Sequence, residues 1–335
     1  MNMKKILSLL LAVVLFLGMT ACAVQSAPET TGTISPETTI PETTAPVEPA
    51  PASLSRIVVF NSSLCTVLDA FGKTDTIVGA YGSLSEKYGV PECGKWNEVD
   101  VEAVIATGAE AIFGYAKYTT EEQISKLKEA GIECYFVELS DADTAAAEVA
   151  QLGELFGCQE KAKVFVDLYE TYDALLKERL ANVEQLTVYV EGTAKEPFKT
   201  ANNTTAAHKL VAGAGLVNVY ADNETAYPER NLEAVITAHP DVVVKLWGSG
   251  ATLDEVLYNE YVAGLYGVAA VDNGKVIMLN NEVGTTAIGS IIGRLYVAKF
   301  AYPDVFADVD VDAIYEELCE SFLGTGFSGS GAFAK

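Results

Sequence analysis

Two stretches of the sequence repeat each other, and this repeat limits the folds that are open to the chain. Val99–Phe113 (VDVEAVIATGAEAIF) and Arg230–Val244 (RNLEAVITAHPDVVV) both contain Glu-Ala-Val-Ile in register. An acidic residue, Glu110 or Asp241, follows eight positions after each leading Glu, and an apolar run comes next. The pattern predicts a short helix, a turn and a strand, which is a common unit of α/β proteins. Its recurrence far along the chain also predicts two related lobes.

Strand and helix patterns alternate on both sides of one long helical stretch. Ser55–Phe60 (SRIVVF) is a β-branched run that predicts a strand, and a helical pattern follows it. From Gln159 the helical pattern continues for more than five turns without a breaker, which is long for a globular helix. We therefore predict an α/β fold of two Rossmann-like lobes joined by a single long rigid α-helix, with a ligand cleft between the lobes. The predicted boundaries are 55–158 for the N-terminal lobe, 159–184 for the linking helix and 185–335 for the C-terminal lobe.

The N-terminus predicts export and a membrane anchor. Residues 1–21 combine two lysines with the apolar run Ile6–Leu17, which is short for a membrane span and typical of a signal peptide. The run ends in Met-Thr-Ala-Cys22, which resembles the lipobox of bacterial lipoproteins, where the cysteine is lipidated. Residues 22–54 are rich in Pro and Thr and predict an extended tether. We expect the chain at the cell membrane, lipid-anchored on the extracytoplasmic face; an ordinary secretory signal with an incidental cysteine is the alternative.

The net charge and the cysteine content limit the partners, metal sites and disulfides that we expect. The formal net charge is -24, so phosphate backbones are repelled and we expect no nucleic-acid partner. Beyond Cys22, five cysteines form no C-x-x-C pair, and none has a histidine at metal-ligand spacing. We expect most of them to be small buried hydrophobic residues, while one disulfide is compatible with their number. These residues are Cys65, Cys93, Cys134, Cys158 and Cys319.

The repeat also brings two aromatic residues into correspondence. Aligning Glu102 with Glu233 aligns Trp96 with Tyr227, so each lobe carries an aromatic residue six positions before its Glu. Ligands of open α/β sheets bind beyond the carboxyl ends of the strands, and a cleft between domains is a favoured site. We therefore expect the two rings to face each other across a common gap. Such a gap suits a large, flat, partly apolar ligand, because rings contribute contact area with little loss of entropy.

This arrangement resembles the ABC-transporter substrate-binding proteins in which one rigid helix joins two lobes, a family that carries cobalamin, ferric siderophores or haem. The likeness extends from Arg56 to about Leu323, and it is closest to the cobalamin-binding members. The matching motifs are GAYG with Tyr81, Trp96 followed by Glu102, Tyr227-Pro228 followed by Glu233, and EPFKTAN with Phe198. These motifs are more specific for the family than for its ligand.

The resemblance implies that the cleft binds a metal chelate, which is a corrinoid, a ferric siderophore or haem, and it implies no resident cofactor. The residues that we expect at the ligand are Tyr81, Trp96, Phe198, Tyr227, Trp247, Arg230 and Asn202. Each ring could instead belong to the core, and Asn202 could cap a helix. Arg230 and Arg294 depart from the family pattern: cations in the cleft would suit an anionic siderophore or haem propionates better than cobalamin, and either arginine could be structural.

Glu102 and Glu233 predict a second functional surface. In the family, an acidic residue on the outer face of each lobe pairs with arginines of the permease, and these two residues match it in position. A glutamate at this place also favours the N-terminus of its own helix, and the two roles are compatible. The implied partners are an ABC permease and its ATPase, for a chain that we expect to be a monomer.

The sequence lacks familiar catalytic signatures. It contains no G-x-S-x-G elbow, P-loop or dinucleotide fingerprint, and its two histidines, His208 and His239, are expected to be structural. We therefore expect no catalytic residues, no protein-bound metal and no enzymatic activity. The alternatives to a transport receptor are an extracellular enzyme on the same two-lobed plan and a surface adhesin, for which the tether alone would serve.

Overall fold

The computed structural model describes residues 53–194, 197–248, 250–284, 286–326 and 331–335. The predicted signal peptide (1–21), the predicted lipidation site Cys22 and nearly all of the predicted tether (22–54) lie outside the described residues. Among the helices that fall within these ranges, none is long and apolar enough to cross a membrane.

The N-terminal lobe is built on a parallel sheet. Its strands are β1 (Ile57–Val59), β2 (Ile77–Ala80), β3 (Gly94–Lys95), β4 (Glu98–Val99), β5 (Ala111–Gly114) and β6 (Glu133–Phe136). Its helices are α1 (Ser62–Phe71), α2 (Gly82–Tyr88), α3 (Val101–Ala106), α4 (Glu121–Glu129) and α5 (Ala145–Phe156). The sheet has the order β2-β1-β5-β6, and β3 pairs with β4 in a small antiparallel hairpin. Because the four strands are parallel, their carboxyl ends meet at one edge of the lobe.

A single helix, α6 (Gln159–Leu180), follows this lobe and is 22 residues long, or about 33 Å at 1.5 Å per residue. It ends at Leu180, before the predicted boundary at residue 184. Its buried residues lie on one helical face: Ala162, Phe165, Tyr169 and Leu176. Helix α5 packs closely on this face at Gly153, where a Cβ atom would lie 2.5 Å from the Cβ of Ala162. Only glycine permits this approach.

The C-terminal lobe is built on a five-stranded sheet. Its strands are β7 (Thr187–Glu191), β8 (Val217–Asn218), β9 (Val242–Trp247), β10 (Val276–Asn280) and β11 (Ala332–Ala334). Its helices are α7 (Ala206–Gly213), α8 (Leu232–Ala238), α9 (Glu255–Ala263), α10 (Ala269–Asp272), α11 (Asn281–Gly284), α12 (Ser290–Ala301) and α13 (Val311–Leu318). The order is β11-β10-β9-β7-β8, with β11 antiparallel to β10 and the other pairs parallel.

One hydrophobic core runs through both lobes and the linking helix. It contains Phe113 and Phe156 from the N-terminal lobe, Phe165 from α6, and Val188 and Leu279 from the C-terminal lobe, all fully buried. Two smaller cores complete the structure, one in each lobe. Because helix α6 shares one closely packed core with both lobes, a change in the angle between the lobes must disturb that packing.

A polar cluster centred on the buried Arg294 also joins the lobes beside α6. Arg294 of α12 forms ion pairs with Asp143 of the N-terminal lobe, at 2.6 Å, and with Asp173 of α6, at 3.7 Å. Its guanidinium also donates to the carbonyl of Lys209 at 3.1 Å, and Lys209 itself pairs with Asp141. Arg294 is only 4% exposed, so this departure from the family pattern contributes to contact between the lobes.

The two copies of the sequence repeat adopt the same structure. Asp100 caps α3 by accepting from the backbone N–H of Ala103 at 3.1 Å, and Asn231 caps α8 by accepting from Ala234 at 2.9 Å. The strands β5 and β9 follow. The predicted α/β fold of two lobes joined by one long helix is confirmed. None of the five cysteines is in a disulfide: Cys65, Cys93 and Cys319 are buried, as expected for most of them, while Cys134 and Cys158 are only partly buried.

Candidate ligand-binding site

The carboxyl edge of the N-terminal sheet carries tyrosines and a carboxylate. Tyr81 follows β2, Tyr115 follows β5, and Glu138 lies just beyond β6. Tyr81 is half-buried, and its ring stacks on that of Phe60 with centroids 6.4 Å apart. Burial, and then the Glu138 carboxylate, raise the pKa of Tyr115 to about 12, so this hydroxyl stays protonated at neutral pH.

Trp96 lies in the turn between β3 and β4 and extends this edge. Its ring stands edge-on to Tyr118, with centroids 4.9 Å apart, and Tyr118 stands edge-on to Tyr115 at 6.0 Å. The Nζ atom of Lys117 lies 5.0 Å from the centroid of Tyr118 and 5.8 Å from that of Tyr115. Edge-to-face rings and a cation over their faces are mutually favourable. We call Trp96, Tyr115, Lys117 and Tyr118 the N-terminal wall.

Tyr227 of the C-terminal lobe lies opposite the N-terminal wall. Desolvation raises the pKa of Tyr227, the Lys117 ammonium lowers it, and Tyr118 and Glu138 raise it again. All three neighbouring groups belong to the N-terminal lobe, so the hydroxyl of Tyr227 lies within their electrostatic range. Trp96 contacts Tyr118, which is one of the three groups that act on Tyr227. Both rings remain accessible, with 49% and 56% of their surface exposed.

A cavity of about 490 Å³ lies between the lobes next to Tyr227. Its volume is within the range of about 300–1,000 Å³ that is usual for small-molecule sites. The lining residues are Ser140, Gly192, Thr193, Ala194, Lys199, Ala206, Ala207, Tyr227, Leu246 and Asn281. Ser140 belongs to the N-terminal lobe and the others to the C-terminal lobe. Among these residues Lys199 is the charged one, while Ser140, Thr193, Tyr227 and Asn281 offer hydroxyl or amide groups.

Four of these polar residues were not predicted from the sequence: Ser140, Thr193, Lys199 and Asn281. Three of them come shortly after the carboxyl ends of β6, β7 and β10, and a polar residue in that position is the signal that could have found them. Lys199 directly follows Phe198, so the side chain that lines the cavity is the neighbour of the predicted one.

Phe198 and Trp247 were predicted for the cleft wall, and the structure packs both against the smaller core of the C-terminal lobe. The indole N–H of Trp247 points to the sulfur of Met278 at 3.3 Å, and its ring stands edge-on to Tyr261. Successive side chains of a strand point to opposite faces, so Leu246 lines the cavity and Trp247 faces away from it. Phe198 has φ of 64°, which is rare for a residue with a Cβ atom.

Arg230 and Asn202 were also predicted at the ligand, and the structure uses both within the C-terminal lobe. The guanidinium of Arg230 binds the side chain of Asn223 and lies 4.8 Å from the ring centroid of Tyr220. It lines a shallow depression on α8 together with Glu233 and does not line the cavity. Asn202 is 3% exposed; its amide donates to the carbonyl of Asn223 and accepts from Thr204.

Glu102 and Glu233 occupy equivalent places in the two lobes. Each lies in the first turn of its helix, α3 or α8, directly after a capped N-terminus, and each side chain is exposed. A carboxylate in this place is stabilised by the helix dipole. The geometry leaves both carboxylates accessible to a partner; their role in docking stays a prediction.

A larger cavity of about 800 Å³ lies beside the linking helix. Arg294 is part of its wall, but the charge of Arg294 is balanced by Asp143 and Asp173. Gly215, also in the wall, precedes β8, so this cavity lies toward the amino ends of the C-terminal strands. Ligands of such sheets bind at the carboxyl ends, which favours the cleft beside Tyr227 as the site.

In the described part of the chain, no three His, Cys, Asp or Glu side chains gather as metal ligands would.

The fold and the cleft define a class of protein: two α/β lobes joined by one helix, with a cavity of small-molecule size between them. The periplasmic binding protein family model matches residues 57–283. The chain belongs to the periplasmic binding protein family, as the sequence motifs predicted.

Individual relatives agree with this assignment. The Vitamin B12-binding protein of Yersinia pestis (strain Pestoides F) is 23% identical over 205 residues, which cover 60% of this chain and 72% of that protein. The TroA-like periplasmic binding protein FepB from Veillonella parvula has a TM-score of 0.72 at 20% identity, covering 85% of this chain and 95% of that one. The periplasmic vitamin B12 binding protein BtuF of Vibrio cholerae has a TM-score of 0.60 at 16% identity, covering 74% and 96%. At these identities the structures share the fold.

Proposed function

We propose that this chain is the extracytoplasmic solute-binding lipoprotein of an ABC importer, which captures a metal chelate and delivers it to a membrane permease. The chelate is a corrinoid or a ferric siderophore. The protein binds, docks and releases its ligand without breaking a bond. The observation that carries this proposal is the cavity between the lobes that Tyr227 lines, with Tyr118 of the other lobe in electrostatic range of Tyr227 and Trp96 packed on Tyr118.

The shape of the cleft supports a flat ligand. Tyr227 lines a 490 Å³ cavity and the Trp96 ring is 49% exposed, so we propose that a plate-like chelate in the cavity contacts Tyr227 and reaches Trp96. The hydroxyl and amide groups of Ser140, Thr193 and Asn281 line the same space and can orient the polar edge of the chelate. Relatives that are named as binding vitamin B12 share the fold and support a corrinoid.

Haem is the second candidate, and the cationic groups favour it. Lys199 of the C-terminal lobe lines the cavity. Lys117 of the N-terminal wall carries a second ammonium, whose charge lowers the pKa of Tyr227. Two ammonium groups so placed suit the propionates of haem or an acidic siderophore. Two carboxylates oppose them, since Glu229 lies 3.8 Å from Lys199 and Glu138 lies near Tyr227. A periplasmic heme binding protein from Pseudomonas aeruginosa has the same fold, with a TM-score of 0.57.

The remaining parts of the proposal concern anchoring and delivery. Cys22 carries the lipid, the Pro- and Thr-rich segment tethers the lobes to the membrane, and the exposed Glu102 and Glu233 dock on the permease, which works with its ATPase. A Cys22→Ala variant that stays with the membrane fraction at the wild-type level would contradict the anchor. Release of this variant into the medium or the periplasm is the expected result.

The ligand is identified from the compound that co-purifies with the protein. The full chain is purified from its native source, and the absorbance spectrum of the bound material is recorded. The stripped protein is then titrated with cyanocobalamin, haemin, a ferric catecholate and a ferric hydroxamate. One tight, unmodified, one-to-one complex is expected. Turnover of the bound compound, or failure of all four to bind, would overturn the proposal.

Single substitutions test the aromatic pair. Trp96→Ala and Tyr227→Ala are each expected to weaken binding about tenfold or more, which corresponds to a loss of about 1.4 kcal/mol. Tyr266→Ala is the matched control, because Tyr266 is an aromatic residue of the C-terminal lobe that is 72% exposed and does not line the cavity. If all three variants bind as the wild type does, the rings are not part of the site.

A further inference from the structure

One loop supplies much of the wall of the cavity. Gly192, Thr193, Ala194 and Lys199 all line it, and they come from the segment directly after β7. The backbone N–H of Gly192 donates to the carbonyl of Lys199 at 3.1 Å, which closes the two ends of the segment on each other. We call its described residues, Gly192–Ala194 and Pro197–Lys199, the cleft loop.

A buried ion pair lies directly beneath the cleft loop. Glu191 is the last residue of β7, Lys245 is its register partner in β9, and the Lys245 Nζ atom lies 3.4 Å from the Glu191 Oε2 atom. The two side chains are only 1% and 3% exposed. The rings of Trp247 and Tyr261 enclose the ammonium, with centroids 5.0 Å and 5.9 Å from Nζ. Neither charge faces the cavity, so neither is placed to bind the ligand itself.

Each member of the pair holds one end of the cleft loop. The Lys245 ammonium donates to the carbonyl of Gly192 at 2.7 Å and to that of Ala194 at 3.0 Å. The Glu191 carboxylate accepts from the backbone N–H of Phe198 and from the Tyr189 hydroxyl. The first half of the loop is therefore fixed by the cation and the second half by the anion.

The backbone at Phe198 shows why the second half needs this support. A φ of 64° is unfavourable for phenylalanine, and such a conformation persists only where the surroundings hold it. The hydrogen bond from its N–H to Glu191 does so, while the ring of Phe198 packs against the smaller core of the C-terminal lobe. This conformation directs the next side chain, Lys199, toward the cavity.

The cost of burying two charges argues that the pair is more than packing. Burial lowers the pKa of Lys245, and the Glu191 carboxylate acts against that effect, so the charge of Lys245 depends on its partner. A buried ion pair can often be replaced by apolar side chains of similar volume with little loss of stability. The stability of the lobe alone therefore gives no reason for these residues, whereas the Gly192 and Ala194 carbonyls and the Phe198 N–H need hydrogen-bond partners in the buried space beneath the loop.

We infer that Glu191 and Lys245 are positioning residues that hold the cleft loop in the shape that lines the ligand cavity. The effect on ligand affinity rests on the proposed function, while the effect on the loop does not. The inference predicts that removing both charges loosens the loop locally and leaves the fold intact.

Hydrogen exchange of the full chain, followed by mass spectrometry, tests this directly. The Glu191→Gln/Lys245→Met double variant removes both charges and keeps a side-chain acceptor for Phe198. The amides of the cleft loop are expected to exchange at least tenfold faster than in the wild type, with a melting temperature near the wild-type value. The Arg179→Met/Asp308→Asn double variant is the control, because Arg179 also pairs with a carboxylate and donates to a carbonyl, that of Val305, away from the cleft.

Two results would overturn the inference. One is exchange in the cleft loop within twofold of the wild type, and the other is faster exchange spread evenly over the whole lobe. If the double variant does not fold, Lys245→Met alone is measured by the same criterion, because it removes the donor to the Gly192 and Ala194 carbonyls. Affinity is measured with cyanocobalamin, haemin, a ferric catecholate and a ferric hydroxamate, and a loss of about tenfold is expected for a probe that the wild type binds. If the wild type binds none of these four probes, the proposed ligand class is wrong, while the exchange data still decide the role of the ion pair.

Discussion

The carboxylate of Asp241 holds Thr187 at the start of β7, accepting from its backbone N–H at 2.8 Å and from its hydroxyl at 2.7 Å. In the other lobe, Glu110 accepts from the backbone N–H and the hydroxyl of Ser55, both at 2.9 Å, just before β1. These hydrogen bonds lower the pKa of Glu110. The acidic residue that recurs in the sequence repeat therefore fixes the first strand of each lobe next to the strand that follows the repeat.

The contact between Asp241 and Thr187 predicts a modest stability effect. Asp241→Ala removes a charged acceptor from two donors, so the free energy of unfolding should fall by about 1–2 kcal/mol. Thr187→Val should cost less, because only the hydroxyl is lost. Both values come from urea unfolding followed by circular dichroism. Asp304→Ala removes an exposed carboxylate of the same lobe and serves as the control. Equal stabilities for Asp241→Ala and Asp304→Ala would contradict the prediction.

Glu102 and Glu233 should matter for delivery and not for binding. Reversing both charges, in Glu102→Lys/Glu233→Lys, should leave ligand affinity within about twofold and abolish uptake by cells that carry the permease. The reason is that exposed charges steer and orient docking, although each surface ion pair contributes only about 0–1 kcal/mol. The measurements are equilibrium titration of the purified chain and accumulation of the same ligand in cells.

A matched control variant distinguishes the effect of the two positions, Glu102 and Glu233, from the effect of the change in net charge. Glu121→Lys/Glu260→Lys makes the same change in net charge with one exposed glutamate from each lobe. Uptake by this variant should stay near the wild-type level. Normal uptake by the Glu102/Glu233 variant would remove both residues from the docking surface.

The sequence was sufficient for the fold because the signals of the fold are local. Periodicity, caps and glycine stops placed α3, β5 and α6 within a few residues, and the repeat at Glu102 and Glu233 predicted two lobes. The site was predicted less completely, because a ring next to a strand end can face either side of the sheet. Tyr227 lines the cavity and Trp96 packs on Tyr118, whereas the alternation of side chains along β9 directs Trp247 to the other face of the sheet.

Long-range polar contacts could not be predicted at all. Nothing in the local sequence shows that Lys245 meets Glu191, or that Arg294 meets Asp143 and Asp173. Such pairs depend on the register between strands and on the packing of separate helices. The residues that support the cleft were therefore found only from the structure.

His208 predicts a pH dependence of stability. Burial lowers the pKa of His208, and the Lys209 ammonium lowers it further, while Asp143 and Asp222 act in the opposite direction. The folded pKa is thus below the unfolded value of about 6.5, and the unfolded chain takes up the proton first. Stability is therefore lost as pH falls through about 6.5 toward the folded value. His208→Gln should lose less stability than the wild type between pH 7.5 and pH 5.

Thermal unfolding across this pH range provides the measurement. His239→Asn is the control, since His239 ends α8 with φ of 48°, a left-handed conformation that asparagine tolerates. This variant should follow the wild-type pH dependence. Parallel curves for the wild type and His208→Gln would show that His208 does not contribute.

The contacts of Arg294 predict that the lobes close only slightly on a ligand. Helix α6 shares one core with both lobes, and Arg294 holds Asp143, Asp173 and the carbonyl of Lys209 together. A long helix also bends less readily than a pair of crossing strands. Small-angle scattering of the free and the loaded wild type should give nearly equal radii of gyration. A large compaction on loading would contradict this.

The substitution Gly213→Ala tests the Arg294 cluster by adding a single methyl group next to it. A Cβ atom at residue 213 would lie 2.2 Å from the Nε atom of Arg294, so the guanidinium must leave its place between the lobes. The free energy of unfolding should fall by about 1–3 kcal/mol, as for other overpacked sites. The difference between free and loaded scattering curves should grow, because the lobes lose their shared ion pairs. Gly264→Ala, whose nearest atom would be 3.4 Å away, should change neither quantity. Unchanged scattering in a destabilised Gly213→Ala would show that the shared core alone limits closure, and that Arg294 contributes to stability without restraining the lobes.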